Sequence, residues 1–323
     1  MLSGLARRIE AKGHEAHWWW RTQLCRMGPQ AFIHGSWPPP FSKPWQRKRL
    51  HLYSRGGGLG DELMCTAVFG AIKEVNKDCR ITFSTRYPEI FNGHPNLDEV
   101  VPFDRASLGK AVELGYDRVL PPARPLAVLM AECVGLRTSR RNVELPHLRA
   151  QLVRPPLLDQ LPGPIIVVQP LASRWTPNKE WPAAHWIELI QLLLREFSVV
   201  EVGHRSLAAG RIHSPRFASV CESTSLLEFL SFISHADVFA GPPSGGMHVA
   251  NGFEIPSVIL FGGYESPKGY GYANVTPFYT SVPCAPCWLV DACPYSLKCL
   301  HAISPDAVAE AIRKAAFSAP VPH

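Results

Sequence analysis

The amino-acid sequence predicts an α/β protein made of two βα halves, each with a parallel sheet covered on both faces. Three observations predict it. Apolar runs of strand length alternate with stretches of helical period. A proline-rich break, RPPLLDQLPGP at 154–164, precedes a fresh start of that alternation. The new start opens on IIVVQP at 165–170, a continuous β-branched run of the kind a strand buried on both faces requires. The 323 residues suit two domains, each long enough to bury its own core.

Residues 1–50 form a basic, Trp/Pro-rich extension that ends in the stiff stretch WPPPFSKPW. Leu50–Ser54 is the first strand. Glu62–Val75 has helical spacing through Leu63, Val68, Ala71, Ile72 and Val75, and Ile81–Thr85 and Val100–Phe103 read as strands. Leu126–Leu136 reads as a helix. After the break, Ala183–Phe197 is an amphipathic helix, and strands follow at 198–203, 237–241 and 257–263. Ser225 and Glu228 have capping-box spacing ahead of LLEFLSFISHA. Ser304 then Pro305 open a last helix as an N-cap followed by proline. The body thus divides at 51–155 and 160–318.

Composition excludes several classes. With 46% hydrophobic and 19% charged residues, the chain as a whole is not disordered. No apolar run approaches the ~20 residues that span a bilayer, and the N-terminus lacks the apolar core of a secretory signal, so a cytoplasmic protein is expected. The net charge of +6 is uneven. Residues 1–50 hold nine basic and two acidic side chains, a balance of +7, which leaves −1 for the remainder and no general nucleic-acid surface. Basic residues beside Trp18, Trp19, Trp20, Trp37 and Trp45 suit an anionic membrane surface; a basic tail, or a helix packed on the body, is the alternative.

The loop RGGGLGDELM at 55–64 follows the first strand but is not a phosphate cradle. No Lys-Ser or Lys-Thr completes a Walker pattern, and G-x-G-x-x-G fails at Asp61 or at Leu63, which also disfavours a nicotinamide oxidoreductase. Asp61 and Glu62 at a helix start would repel a pyrophosphate. Two readings of Asp61 stay open: a helix cap, or a carboxylate at the carboxyl edge of a sheet, where ligands of open α/β sheets bind. In the second half, QPLASRWTPNKEWP offers Ser173, Arg174, Thr176 and Lys179 after a strand, a set suited to phosphate oxygens. Ser244–Gly245–Gly246 lets backbone N–H groups approach an anion at a helix N-terminus, with His248 on the first turn.

Gly60-Asp61, Lys179-Glu180-Trp181-Pro182, Ser244-Gly245-Gly246-Met247-His248-Val249-Ala250, Leu260-Phe261-Gly262 and CAPCWLVDACPYSLKCLHAISPDAV at 284–308 follow one another in a familiar order and spacing. Over about residues 50–316 the chain resembles glycosyltransferase family 9, the ADP-heptose:lipopolysaccharide heptosyltransferases. The resemblance implies a GT-B fold, two Rossmann-like domains facing a cleft, with the acceptor on 51–155 and the nucleotide sugar on 160–318. It implies an inverting transfer of a sugar, heptose among the candidates, from a nucleotide-sugar donor such as ADP-heptose to a lipopolysaccharide or other cell-envelope glycan or glycolipid. Asp61 matches the proposed general base, with Gly58 and Gly60 in the acceptor-side loop. Ser173, Arg174, Lys179 and the helix start at Ser244, Gly245, Gly246, Met247 and His248 match the donor side. No cofactor is implied, and a metal is not required where lysine and arginine neutralise the diphosphate. The implied location is the cytoplasm, with the leader able to touch the inner face of the inner membrane. The family usually has Asp-Ser-Gly where this chain has Pro243-Ser244-Gly245, and that Asp is tied to donor handling, so the sugar stays open. A catalytically degenerate GT-B protein that binds glycan or nucleotide sugar as a scaffold is the alternative.

Nine cysteines fall into two groups. Cys25, Cys65, Cys79, Cys133 and Cys221 read as small buried hydrophobes. Cys284, Cys287, Cys293 and Cys299 have a spacing that permits a four-thiolate structural metal site, although free thiols are the leading expectation.

Overall fold

The structure, a computed structural model, describes residues 43–116, 121–122, 124–172 and 176–318. Most of the leader, with Cys25 and the membrane-surface expectation, lies outside the described residues. At its described end Pro44 is buried, Trp45 packs on the core of the first half, and the Trp45 carbonyl accepts the Asn76 side-chain N–H at 2.9 Å.

The first sheet is built from β1 (Arg49–Ser54), β2 (Arg80–Thr85), β3 (Glu99–Pro102) and β4 (Val112–Leu114), all parallel, in the order β3-β2-β1-β4. Helices α1 (Leu59–Val75), α2 (Pro88–Phe91) and α3 (Leu126–Glu132) accompany it. After a short α4 (Pro156–Gln160) the chain builds the second sheet. Its strands are β5 (Ile165–Val168), β6 (Ser198–Glu201), β7 (Phe217–Ser219), β8 (Val238–Gly241), β9 (Ser257–Gly262) and β10 (Val275–Tyr279). They are parallel throughout, in the order β10-β9-β8-β5-β6-β7. Between and after them run α5 (Ala183–Leu193), α6 (Leu226–Ser234), α7 (Gly245–Gly252), α8 (Lys298–His301) and α9 (Pro305–Ser318).

The apolar run that opens the second half is buried on both faces. Along a strand successive side chains point to opposite sides. Ile166 and Val168 therefore join an outer core with Trp186, Leu189 and Leu193 of α5 and Val308 and Ile312 of α9. Ile165 and Val167 join a different core, shared with Met247 and Val249 of α7 and with Leu63, Val68 and Phe69 of α1. The same split recurs along β8 and β9: Val238, Ala240, Val258 and Leu260 face outward, Phe239, Ile259 and Phe261 inward. The inner core thus runs without a break from one half of the molecule into the other, and α1 lies directly against α7.

The expected capping box is formed: Ser225 N–H donates to Glu228 Oε2 at 2.7 Å and Glu228 N–H to Ser225 Oγ at 3.3 Å. Ser304 Oγ likewise accepts the Ala307 N–H at 3.3 Å at the start of α9. Cys65, Cys79 and Cys133 are buried as expected, while Cys221 is only partly covered. Helix α1 begins at Leu59, three residues ahead of the expected start, because Gly58 rather than Asp61 is its N-cap.

His94 and His147 pin the segment that follows α3 onto the first half. His94 Nε2 lies 3.0 Å from the Glu144 carbonyl and His147 Nε2 2.7 Å from the Ile90 carbonyl, with ring centroids 5.0 Å apart. Burial, and then the neighbouring His147, lowers the His94 pKa to about 4. An unfolded histidine takes its proton near ~6.5, so between these values the unfolded state binds more protons than the folded one. Stability from His94 is therefore complete above about pH 6.5 and is lost as pH falls toward 4. Chemical denaturation from pH 7.5 to 4.5 should show a falling midpoint, with a shallower fall in His94→Gln.

Candidate functional site

Both sheets present the carboxyl ends of their strands to one cleft, of about 1200 Å³. In each sheet the turn after the first strand stands at the point where strand order reverses, β1 between β2 and β4, β5 between β6 and β8. Open α/β sheets bind ligands there. Asp61, Gly58 and Gly60 line the cleft from the first half; Lys179, Ser244, Gly245, Gly246 and His248 line it from the second. Ser173 and Arg174 lie outside the described residues.

The two neighbouring acids at the start of α1 have separate fates. Glu62 is fully buried and accepts from the Thr85 hydroxyl and from the Arg86 guanidinium, Nη1 to Oε1 at 3.3 Å. Burial is the main cause that raises its pKa. It ties the β2 turn to α1, and the Arg86 guanidinium stacks 3.9 Å from the Phe103 ring centroid. A side chain at Gly57 would collide with that guanidinium, and Gly57 is in the left-handed region with φ 64°, so glycine is required there twice over. Asp61 instead faces the cleft. Its Oδ2 accepts the Gly58 N–H at 3.3 Å, the carboxylate half of a capping box, and its Oδ1 accepts the Tyr116 hydroxyl at 2.5 Å. Cap and cleft carboxylate, separate readings in the sequence, are two oxygens of one side chain. Tyr116 was not legible as a partner: it is 55 positions away and follows the short β4.

On the opposite wall, Lys179 ends a 3-10 turn at Pro177–Lys179. Its ammonium donates to the Pro243 carbonyl at 3.1 Å and pairs with Glu265 at 2.5 Å. Asn178 holds the turn from behind: its Nδ2 donates to the Leu289 and Asp291 carbonyls at 2.8 and 2.6 Å, and its Oδ1 accepts the Cys293 N–H at 3.0 Å. The cysteine loop is therefore a strap behind Lys179. Ser244 Oγ donates to Gln169 Oε1 at 3.1 Å at the start of α7. Met247 is buried in the core and its N–H is taken by the Ser244 carbonyl at 3.1 Å, so the exposed end of α7 is Gly245–Gly246. His248 is buried too. Its Nδ1 lies 2.8 Å from the Tyr272 hydroxyl, and burial, with the Lys179 charge second, lowers its pKa to about 3. It is neutral at physiological pH and brings no charge to an anion. Glu222 also lines the cleft, in the left-handed region at φ 63°, a conformation that non-glycine residues hold only where surroundings impose it.

Comparison with known proteins places this geometry. Residues 128–287 match the model of glycosyltransferase family 9 (heptosyltransferase). This region belongs to glycosyltransferase family 9. A family 9 glycosyl transferase from Veillonella parvula shares 16% identity at a TM-score of 0.66, over 86% of this chain and 99% of that one. The E. coli ADP-heptose lps heptosyltransferase II shares 14% at 0.61, over 83% and 98%. TibC of enterotoxigenic E. coli, an iron-containing dodecameric glycosyltransferase, shares 19% at 0.65, over 83% and 78%. No curated protein matches the chain. The two facing parallel sheets are the GT-B fold of these glycosyltransferases. No helix among the described residues is long and apolar enough to cross a membrane.

Cys284, Cys287, Cys293 and Cys299 are the metal-site candidates of the sequence. Cys287 has its thiol pushed up to about 11 by burial, with Cys284, Cys293 and Cys299 near enough to add to the shift. Among the described residues, however, no three His, Cys, Asp or Glu side chains are arranged to hold a metal ion. The thiols gather without forming a ligand set, and no chemical step is assigned to them.

Gly60 of α1 faces His248 of α7 across the seam between the halves. A Cβ at Gly60 would lie 2.6 Å from His248 Cδ2 and 2.9 Å from Nε2. Gly60→Ala should cost about 1–3 kcal/mol in chemical denaturation, the range of overpacking. Most of that penalty should vanish in a His248→Ala background, because the two changes share one contact.

Proposed function

We propose that the protein is an inverting glycosyltransferase that moves a sugar from a nucleoside-diphosphate donor to a hydroxyl of a cell-envelope glycan. The observation that carries this reading is the pairing of one carboxylate and one ammonium across a single cleft: Asp61 on the first wall, Lys179 on the second. The acceptor hydroxyl must lose a proton as it attacks the anomeric carbon, while the departing diphosphate gathers negative charge. Asp61, fixed by Tyr116 and by the Gly58 N–H, is the proton acceptor. Lys179 and the N–H groups of Gly245 and Gly246 at the start of α7 stabilise the leaving diphosphate. In this reading the acceptor enters over the Gly58–Gly60 loop. The nucleoside lies toward Gly203, Glu222 and Ser225, which line the same cleft.

The family match and the likeness to heptosyltransferases support an ADP-heptose-type donor and a lipopolysaccharide-type acceptor. The domain assignment follows from the same reading: acceptor on 51–155, donor on 160–318, with the cytoplasmic side of the envelope as its place of action.

Asp61→Asn keeps the size and the Tyr116 contact but removes the base. Turnover should fall by about 10²–10⁴-fold, the usual contribution of a general base, while nucleoside-diphosphate binding by calorimetry stays near wild type. A panel of ADP-, GDP-, UDP- and CMP-sugars in thermal-shift assays identifies the donor for that measurement, since the ligand that binds the native state raises Tm. Turnover above a tenth of normal in Asp61→Asn would leave Asp61 as a helix cap alone.

A further inference from the structure

Glu265 is a buried carboxylate that the transfer chemistry above does not use. It is 1% exposed, follows β9, and lines the cleft beside Lys179. Its two oxygens are committed to different partners. Oε1 lies 2.5 Å from the Lys179 ammonium and has no hydrogen-bond partner beyond that ion pair among the described residues. Oε2 accepts the Tyr270 hydroxyl at 2.5 Å. The ammonium itself rests 4.9 Å from the Tyr264 ring centroid and on the Pro243 carbonyl. The cation that faces the diphosphate is thus already neutralised by a carboxylate of its own chain.

We propose that Glu265 is a positioning residue of the diphosphate subsite: it holds the Lys179 ammonium at the cleft wall and yields it to the donor's diphosphate on binding. This rests on the reading of Lys179 as the diphosphate cation.

Three features support the exchange. An unpaired ammonium in this largely covered site would be costly, so a resting counter-ion keeps Lys179 extended and in place before the donor arrives. A diphosphate brings more negative charge than one carboxylate and can outcompete it for the ammonium. Once Lys179 is given up, Glu265 keeps the Tyr270 hydroxyl, which burial and Glu265 itself hold protonated well above its ordinary range. On the return stroke the carboxylate reclaims Lys179 and helps expel the nucleoside diphosphate. The neighbouring imidazole, His248, is neutral and does not take part in the balance.

A competing carboxylate makes a prediction opposite in sign to a structural one. Calorimetric titration of the full chain with ADP and with inorganic pyrophosphate should show both binding roughly tenfold tighter to Glu265→Gln than to wild type, because the competitor is gone and the buried ammonium awaits a partner. Product inhibition by ADP should strengthen in parallel. Lys179→Met should lose binding of both probes, and Glu265→Gln should have no effect in that background. Equal or weaker binding to Glu265→Gln with an unchanged Tm overturns the proposal. Should Glu265→Gln fail to fold, Glu265→Asp, whose carboxylate is drawn back by one methylene, decides by the same sign: tighter binding supports the exchange, equal or weaker binding overturns it. If Lys179→Met binds both probes as wild type does, or wild type binds neither, the donor-site reading itself fails and takes the exchange with it.

Discussion

The close approach of Gly60 to His248 is the contact on which the site depends. Two helix starts, one from each half, converge there. Leu59 lies beside Gly245 in the same seam: a Cβ on Gly245 would be 3.0 Å from Leu59 Cδ2. Glycine at each point of contact, Gly60 in α1 and Gly245 in α7, lets the two strand-end turns close on a common space, so Asp61 and Lys179 face the same volume. A bulky side chain at Gly60 or at Gly245 would meet His248 or Leu59 and push the two walls apart. The imidazole at the seam serves as a packed, uncharged ring, which explains why a polar residue can sit inside an otherwise apolar contact.

Charge is handled by compensation on both walls. Glu62 is paired with Arg86 and accepts the Thr85 hydroxyl, and Lys179 is paired with Glu265. Asp61 is held by a hydroxyl and a backbone N–H. The cleft therefore presents polar groups whose positions are fixed before a ligand enters, the condition under which electrostatic stabilisation costs no reorganisation during reaction.

Much of the fold could be read from the chain because the central strands are continuous apolar runs and the helices have clear stripes or caps. Strands β1, β2, β3, β5, β6, β8 and β9 all arise where such runs were read, within a residue or two. The strands without such a run are β4, β7 and β10, all at sheet edges and largely only partly covered, and the short helices α2, α4 and α8 have too few residues to show a stripe. An edge strand needs little apolar surface, and Pro277 within β10 hides it further, since proline is compatible with an edge but argues against a strand in a sequence. The site was legible in its glycines, in Asp61 and in Lys179, which sit at strand ends beside local signals. Tyr116 and Glu265 gave no such signal. Each acts through a partner distant in sequence, 55 positions from Asp61 in one case and 86 from Lys179 in the other, and only the packing of the halves reveals the pairing.

The alternation along β5 has a further meaning for how this chain can vary. Ile166 and Val168 belong to the layer behind the sheet, whereas Ile165 and Val167 belong to the layer that both halves share. A change at an even-numbered position is felt by a single folding unit, and one at an odd-numbered position also reaches the joint on which the two walls are hung. Adjacent residues of one four-residue strand are thus under different selective burdens: the first pair governs how firmly the back half holds together, the second how faithfully the two halves keep their mutual angle.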